Sequence, residues 1–242
     1  MVVQIFDNAK LVSRACATLI AAQVIQKPDS VLGLATGSSP LETYRKLIKM
    51  HDKGLVDFSA VKSFNLDEYI GIPKDNPCSY HQFMKDNLFQ YVEFAQTHIP
   101  DGNVSSLEEE GLRYDRLIEA VGGIDLQLLG IGHNGHIGFN EPDEKFSSGT
   151  QVVHLAESTI QANRRFFDSE KDVPSMAISM GIGTIMSAKK IVLIAMGEDK
   201  AEAIKGTVEG EITPWLPASI LQLHNNVTLL CDRGAASKLS GK

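Results

Sequence analysis

Short apolar runs of strand length alternate with longer amphipathic stretches along almost the whole chain, and this alternation limits the folds that are open to it. Parallel strands need a crossover connection, which is usually a helix. The alternation therefore predicts an α/β fold: an open, mostly parallel sheet with helices on both faces, Rossmann-like in its layers. The predicted strands are residues 30–35, 61–66, 124–131, 152–155, 191–196 and 227–231, and the predicted helices are residues 8–26, 40–51, 79–91, 107–120, 160–167 and 200–208.

The length and composition favour a single domain. The chain has 242 residues, of which 43% are hydrophobic, and this is enough for one large core. No internal repeat or linker divides it, so we expect one α/β domain over residues 1–242. The stretch 144–174 is the least core-like part and contains Ser147-Ser148-Gly149. We expect this stretch to form a mobile lid.

The charge pattern excludes several classes of partner. The formal net charge is −7, and no long Lys/Arg run provides a basic surface for nucleic acid. No window reaches about 18 uninterrupted apolar residues, and the amino terminus does not resemble a secretory leader. We therefore expect a soluble, cytoplasmic protein that binds neither nucleic acid nor membrane.

Three widely spaced cysteines argue against a disulfide framework or a zinc knuckle: Cys16, Cys78 and Cys231.

A glycine-rich turn follows the predicted strand at 124–131. The segment Leu128–Pro142 presents His133, His136 and Glu141 together, with four glycines that let the backbone approach a ligand closely. In an open α/β sheet, ligands bind beyond the carboxyl ends of the strands. The segment therefore predicts a reaction site at this edge of the sheet.

Two chemistries fit the histidines of this turn. His133 and His136 could bind a metal ion with Glu141 or Asp143 as the third ligand. A glycine loop, however, does not fix both imidazoles on one side as a helix would. A His–carboxylate pair for proton transfer needs fewer coincidences, so we expect acid–base chemistry without a metal ion.

A second loop suits phosphate. After the strand at 30–35 come Thr36-Gly37-Ser38-Ser39-Pro40-Leu41-Glu42, in which Ser39 can cap a helix and Glu42 can complete a capping box. The free N–H groups of such a turn, together with the hydroxyls, favour an anion. An ordinary strand-to-helix turn with an N-cap fits the same residues equally well. Arg165 and Lys200 are candidate cations for a phosphate clamp.

Two adjacent carboxylates follow the strand at 61–66. Neighbouring side chains of an extended chain point in opposite directions, so at most one of Asp67 and Glu68 can face a ligand. A carboxylate in that place could take a proton from carbon. A solvated acidic turn is the more common role of such a pair.

Five motifs together carry a family resemblance. The chain resembles the glucosamine-6-phosphate deaminase family from end to end, in Ala35-Thr-Gly-Ser-Ser-Pro40, Phe64-Asn-Leu-Asp-Glu-Tyr-Ile-Gly71, Gly130-Ile-Gly-His-Asn-Gly-His-Ile-Gly-Phe-Asn-Glu-Pro142, Asn163-Arg-Arg-Phe-Phe-Asp168 and Leu221-Gln-Leu-His224. The resemblance implies the open α/β fold shared with ribose-5-phosphate isomerase and CoA transferases. It also implies the conversion of glucosamine 6-phosphate and water to fructose 6-phosphate and ammonium, without a cofactor.

The resemblance also implies roles for individual residues. The enolising base of the family falls on Asp67, the ring-opening histidine on His136 and the glutamate paired with it on Glu141. The ligands of the substrate phosphate fall on Gly37, Ser38, Ser39, Arg165 and Lys200.

The chain departs from the family pattern in two places. Many members have Asp-Gly-His where this chain has Asn134-Gly135-His136. Asn134 can orient the imidazole ring at the catalytic site but cannot balance its charge, so we expect Glu141 to supply all carboxylate support for His136. Allosteric hexameric members bind N-acetylglucosamine 6-phosphate through basic residues that correspond here to Gln151 and Val153. We therefore expect no such activation, and a monomer or small homo-oligomer.

Two other functions compete with the deaminase. The related 6-phosphogluconolactonases have a similar glycine loop, but a Leu-Phe-Pro-like sequence where this chain has Phe139-Asn140-Glu141-Pro142. A non-catalytic sugar-phosphate sensor would use the same pocket, but such sensors usually carry a DNA-binding helix-turn-helix, for which 242 residues leave no room. The set of Asp67, His136 and Glu141 favours catalysis.

Overall fold

The computed structural model describes residues 1–164, 167 and 173–241. Its strands are β1 (Val2–Phe6), β2 (Val31–Leu34), β3 (Lys62–Asn65), β4 (Asp67–Tyr69), β5 (Gln96–His98), β6 (Leu126–Leu129), β7 (Gln151–His154), β8 (Met176–Ser179), β9 (Ile191–Ala195) and β10 (Val227–Asp232). Its α-helices are α1 (Ala9–Gln26), α2 (Leu41–Asp52), α3 (Tyr80–Met84), α4 (Leu107–Ala120), α5 (Glu157–Asn163), α6 (Ile182–Met186) and α7 (Ala201–Glu209).

Seven strands form the main sheet in the order β1-β10-β9-β6-β2-β3-β5, and every pairing is parallel. The predicted α/β class is therefore confirmed. The central strands β2, β6 and β9 are buried throughout, as the apolar runs predicted. Strands that are covered on both faces show such continuous apolar sequences.

The direction of chain progression reverses between β2 and β6. From β2 the chain moves outward to β3 and β5, and it then returns to β6 and continues to β9 and β10 on the other side. Because crossovers between parallel strands are right-handed, this reversal places α1 and α2 on one face and α4 and α7 on the other. The loops after β2 and β6 diverge at this switch point and leave a crevice between them.

A second, three-stranded sheet was not predicted. It has the order β4-β8-β7, and both of its pairings are antiparallel. Of its three strands only β7 was predicted, as residues 152–155. Strand β4 is the short acidic run Asp67–Tyr69, and β8 lies outside the predicted elements. Tyr69, Phe139, Leu155 and Ala177 form a small hydrophobic cluster beside this sheet, which we call the satellite cluster.

The predicted element boundaries are good where periodicity is strong. Helix α4 has the predicted bounds, and α1 begins one residue later than predicted because Asn8 is its N-cap and accepts from the Leu11 N–H. The predicted helix at 79–91 is instead α3 followed by a π-helical turn at Lys85–Phe89. The edge strands β1 and β5 escaped prediction because their side chains are largely exposed.

The first part of the expected lid is attached to the body of the protein. The Ser147 hydroxyl donates to Oδ1 of Asn140 at 2.5 Å, and the backbone N–H of Thr150 donates to Oδ2 of Asp115 at 2.8 Å. Residues 151–154 then form β7. The expected lid continues through α5 into positions that lie partly outside the described residues.

Two further findings concern the whole described chain. No helix within residues 1–164 and 173–241 is both long and apolar enough to cross a membrane. The three cysteines, all of them described residues, form no disulfide; Cys16 and Cys231 are buried and Cys78 is half-buried.

Candidate active site

The carboxyl ends of β2, β3, β6 and β9 meet in one cavity. These strands are neighbours in the parallel sheet, so the loops that follow them converge at one edge. The cavity has a volume of about 380 Å³. The residues that line it are Ala35, Thr36, Gly37, Ser38, Ser39, Leu66, Asp67, Tyr80, Gly130, Ile131, Gly132, His133, Asn134, His136, Gly138, Phe139, Thr159 and Lys200.

The loop after β2 forms one end of the cavity. Gly37 has a φ of +84°, a conformation that favours glycine. Helix α2 begins at Leu41 with Pro40 as its N-cap, and no side chain caps it within the described residues. The predicted cap by Ser39 is therefore wrong, and Glu42 pairs instead with Nζ of Lys46 at 2.9 Å. N–H groups at the start of a helix favour an anion, so this loop suits a phosphate.

The predicted phosphate ligands lie together at this end. Gly37, Ser38, Ser39 and Lys200 all line the cavity, although β2 and β9 carry them from distant parts of the sequence. The Lys200 side chain is 15% exposed, and its Nζ lies 3.8 Å from Oδ2 of Asp199. Arg165, the other predicted cation, lies outside the described residues.

Asp67 lies on the cavity wall, in β4. Its side chain is buried, with 5% of its surface exposed. Burial and then the negative charge of Glu68 raise the pKa of Asp67 to about 8, against the lowering effect of a hydrogen bond with Thr36. A carboxylate with this pKa can both accept and release a proton near neutral pH.

Glu68 points away from the cavity. Its Oε1 accepts from the backbone N–H groups of Tyr69 and Tyr80 at 2.8 and 2.9 Å, and its Oε2 lies 2.8 Å from Nδ1 of His81. The expectation that only one of the two neighbouring carboxylates faces the cavity is confirmed. The alternative of a solvated acidic turn is wrong, because both side chains are buried.

His136 lies against Glu141 at the floor of the glycine loop. Its Nδ1 is 3.2 Å from Oε2 of Glu141, within ion-pair distance. Within the described part of the chain, however, this buried Nδ1 has no hydrogen-bond partner of good alignment. Catalytic hydrogen bonds are often loose in unliganded enzymes and tighten when substrate binds. Gly132 packs so closely on the imidazole that a Cβ there would lie 2.3 Å from Cε1 of His136.

Glu141 is held by two further donors. Asn134 donates from Nδ2 to Oε2 at 2.7 Å, and the Thr159 hydroxyl donates to Oε1. Burial opposes ionisation, but the contacts with His136, Thr159 and Asn134 outweigh it and lower the pKa of Glu141 to about 2. Glu141 is therefore an anion at neutral pH.

His133 and His136 turn to different carboxylates. Nε2 of His133 lies 2.5 Å from Oδ2 of Asp199 at the protein surface, whereas His136 faces Glu141. Among the residues that the structure describes, no group of three or more His, Cys, Asp or Glu side chains is arranged to hold a metal ion. The geometry therefore favours the acid–base interpretation of the glycine loop.

Sequence reasoning missed two residues of the site. Tyr80 and Thr159 line the cavity, and neither belongs to a motif that indicated a function. Tyr80 follows Ser79, the N-cap of α3, and Thr159 lies in the first turn of α5. The helix signals were visible in both places, but nothing in the sequence indicated that these two helices reach the cavity.

The chain matches a family model and many curated proteins. The model described as glucosamine-6-phosphate isomerases/6-phosphogluconolactonase matches residues 7–230. A glucosamine-6-phosphate deaminase of Clostridioides difficile (strain 630) is 55% identical over 232 residues, which cover 95% of this chain and 93% of that protein. A glucosamine-6-phosphate deaminase of Halothermothrix orenii is 54% identical over 241 residues, covering 99% and 100%.

Two solved structures are also similar to the chain, to different degrees. A structure described as a monomeric glucosamine-6-phosphate deaminase superposes with a TM-score of 0.95 at 47% identity, and the match covers 98% of this chain and 99% of that one. A 6-phosphogluconolactonase from Trypanosoma brucei superposes with a TM-score of 0.76 at 18% identity, over 99% and 98% of the two chains. The second match shows a shared fold alone.

Proposed function

The chain belongs to the family of glucosamine-6-phosphate isomerases and 6-phosphogluconolactonases, and from this membership we propose that it is a glucosamine-6-phosphate deaminase. It converts glucosamine 6-phosphate and water to fructose 6-phosphate and ammonium. Its relatives with this name match nearly end to end at 50–55% identity, whereas the lactonase matches are distant. The observation that carries the assignment is that Asp67, His136 and the phosphate loop line one cavity.

His136 opens the sugar ring in this proposal. Its imidazole takes the proton of the O1 hydroxyl and returns a proton to the ring oxygen, so the C1–O5 bond breaks and an aldehyde forms at C1. Imidazole suits this exchange because it can accept and donate protons near neutral pH. Glu141, an anion at 3.2 Å from Nδ1, stabilises the charge that the imidazole carries during the transfer.

Asp67 then moves a proton between two carbons. It removes the proton from C2 while O1 gains a proton from the ammonium group of the substrate, which gives an enolamine. It then delivers its own proton to C1, and this leaves an iminium at C2. Water adds to the C2 iminium, the nitrogen leaves as ammonium, and C2 becomes the ketone of fructose 6-phosphate. A base of pKa about 8 in a buried setting matches a weakly acidic carbon-bound proton better than an exposed carboxylate does.

The phosphate of the substrate binds at the loop after β2 in this proposal. The loop Gly37-Ser38-Ser39 offers N–H and hydroxyl donors, and Lys200 supplies a positive charge. Arg165 completes the clamp in this proposal, by the family motif at 163–168. A phosphate held far from C1 and C2 fixes the sugar for the proton transfers and is bound in ground and transition states alike.

Several wider properties follow from the same proposal. The protein acts in the cytoplasm on amino sugars, as a step in N-acetylglucosamine degradation, and it is a monomer or small homo-oligomer without nucleic-acid or membrane partners. The solved neighbour described as monomeric supports the smaller assembly. Residues 1–242 act as one domain, with 144–174 as a lid.

One assay tests the proposal. The purified chain is incubated with glucosamine 6-phosphate in the presence of EDTA, and ammonium and fructose 6-phosphate are measured. We expect both products in equal amounts, because each turnover releases one ammonium and one fructose 6-phosphate. EDTA should not affect the yield, because the proposed steps move protons without a metal ion. If the protein hydrolyses 6-phosphogluconolactone but releases no ammonium from glucosamine 6-phosphate, the assignment is wrong. Loss of activity in EDTA that zinc restores would favour a metal site at His133 and His136.

A further inference from the structure

Thr159 is a buried polar residue of the cavity wall to which the proposed steps give no role. Its side chain is 5% exposed, and its hydroxyl donates a hydrogen bond to Oε1 of Glu141. We propose that Thr159 is a positioning residue for ring opening, which holds Glu141 so that the other carboxylate oxygen faces His136. This inference rests on the roles proposed above for His136 and Glu141.

The two oxygens of Glu141 have separate partners. Oε2 accepts from Asn134 at 2.7 Å and lies 3.2 Å from Nδ1 of His136, while Oε1 accepts from Thr159. The terminal torsion of a glutamate is broad, so a single donor does not fix the plane of the carboxylate. Donors on both oxygens do fix it. Thr159 thereby determines which way Oε2 points relative to the imidazole.

The position of the Thr159 hydroxyl is set by α5. The backbone N–H of Thr159 donates to the Ala156 carbonyl at 2.8 Å in the first turn of this helix. The next residue, Ile160, packs against the satellite cluster of Tyr69, Phe139, Leu155 and Ala177. The geometry of the His136–Glu141 pair therefore depends on the position of α5, which lies within the proposed lid.

A direct contact with substrate is the competing role for Thr159, because the residue lines the cavity. The two roles differ in kinetics. A hydroxyl that binds the sugar in the ground state affects KM when it is removed, whereas one that orients the ring-opening pair affects kcat. A variant without the Glu141 carboxylate also separates the two roles. If Thr159 acts only by positioning that carboxylate, then removing the Thr159 hydroxyl from such a variant has no further effect on kcat.

The first experiment compares Thr159→Val with Thr159→Ser. Valine keeps the volume of the side chain and removes the donor, while serine keeps the donor. We expect Thr159→Val to lower kcat by about 10- to 100-fold, the range that corresponds to loss of a hydrogen bond to a charged group, with KM little changed. Thr159→Ser should retain a kcat close to that of the wild type. A rise in KM alone in the valine variant would overturn the inference in favour of substrate binding.

The second experiment is a double-mutant cycle with Glu141→Ala. If Thr159 acts through Glu141, adding Thr159→Val to Glu141→Ala should change the residual kcat by no more than about 2-fold, because coupled residues are not additive. An equal loss of kcat in both backgrounds would show that Thr159 acts on something other than Glu141, and the inference would be wrong.

The controls separate this inference from the proposed function. A wild-type chain that releases no ammonium from glucosamine 6-phosphate contradicts the proposed function itself. An active wild type together with a fully active Thr159→Val variant contradicts only the role of Thr159. Thermal unfolding of each variant checks folding, and Thr159→Ala, assayed against Thr159→Ser in the same way, replaces the valine variant if that one does not fold.

Discussion

Asn134 donates a hydrogen bond of 2.7 Å from its side-chain amide to Oε2 of Glu141, the oxygen that also faces the imidazole of His136. Its side-chain Oδ1 accepts from the backbone N–H of His136 at 3.3 Å. Asn134 therefore orients the glutamate and the loop rather than the imidazole ring. Among the described residues Glu141 is the carboxylate in ion-pair contact with His136, and in the proposed mechanism it balances the charge of the imidazole.

The first prediction concerns Asn134→Asp. The substitution replaces a donor to Glu141 by a second carboxylate and so adds a negative charge beside the imidazole. This charge favours the protonated form of His136, so the limb of the kcat/KM profile that His136 governs should move to higher pH. The profile of initial ammonium release against pH measures this shift.

Glu141→Gln is the matched change in the opposite direction. It removes the only carboxylate that contacts His136 among the described residues, so the same limb should move to lower pH and ring opening should slow. The double variant should recover part of the loss, because Asn134→Asp restores one carboxylate. If neither single variant moves the limb, then His136 is not the group that titrates.

The second prediction tests the close packing of the glycine loop. A Cβ at Gly132 would lie 2.3 Å from Cε1 of His136, a distance that real contacts do not show, so the imidazole must move. Gly132→Ala should therefore lower kcat by about 100-fold, the cost of a catalytic group displaced by about 1 Å.

Gly130→Ala is the control for this change. It lies two residues away in the same loop, but its Cβ would meet only Ser39 at 3.8 Å, an ordinary contact. We expect this variant to keep kcat and to raise KM if it has any effect, since Ser39 is a proposed phosphate ligand. Equal losses of kcat in the two variants would show that the loop tolerates no side chain and that His136 is not specifically displaced.

The sequence predicted the parts of the site that follow buried strands. The apolar runs of β2, β6 and β9 are typical of neighbouring strands in a parallel sheet that is covered on both faces. The residues just after them, including Ser38, His136 and Lys200, therefore had to converge at one edge. Gly132 leaves room for the imidazole of His136, and Gly37 takes a φ of +84°, so both places favour glycine.

The contribution of the second sheet was not predictable in the same way. Strand β4 is three residues long and acidic, and its partner β8 is more than a hundred residues away in sequence. Short strands of this kind form because long-range packing of the satellite cluster compensates for a weak local preference. The same long-range packing brings Tyr80 and Thr159 to the cavity, so their roles emerge only from the structure.

The third prediction is that N-acetylglucosamine 6-phosphate does not activate the enzyme. The positions expected to bind such a regulator, Gln151 and Val153, lie in β7, where Gln151 is exposed and Val153 packs against the satellite cluster. Neither provides a positive charge for the phosphate of the regulator. Saturation curves with and without the compound should coincide at substrate concentrations below KM, and a clear activation would contradict the assignment of these positions.

The fourth prediction concerns Glu68→Gln. The charge of Glu68 is one of the causes that raise the pKa of Asp67, so neutralising it should move the acidic limb of kcat/KM to lower pH. The matched control is Glu110→Gln, which neutralises another buried carboxylate, one that binds Arg113. The control should leave the limb in place. A shift of equal size in both variants would indicate a general effect of protein charge.

The fifth prediction concerns Asp67→Asn and its effect on catalysis. Removing the proposed general base should lower kcat by roughly 10²- to 10⁴-fold and leave KM largely unchanged. In the wild type the base must be ionised, so kcat/KM should fall as the pH drops below about 8. Lys200→Ala serves as the contrast, because loss of a proposed phosphate ligand should mainly raise KM. Equal damage to kcat alone in both variants would contradict this separation of roles.

The same substitution should stabilise the fold, and the gain should depend on pH. Asp67 has a pKa of about 8 in the folded protein, against an ordinary value of 3.8, so between these two values the folded state holds a proton that the unfolded state has lost. The free energy of unfolding therefore falls as the pH rises through this window and levels off above pH 8. An asparagine does not titrate, so Asp67→Asn should raise Tm little at pH 4 and most above pH 8. Thermal unfolding at pH 4, 6 and 8.5 measures the difference, and a gain in Tm that is the same at all three values would show that Asp67 is not a buried carboxyl of raised pKa.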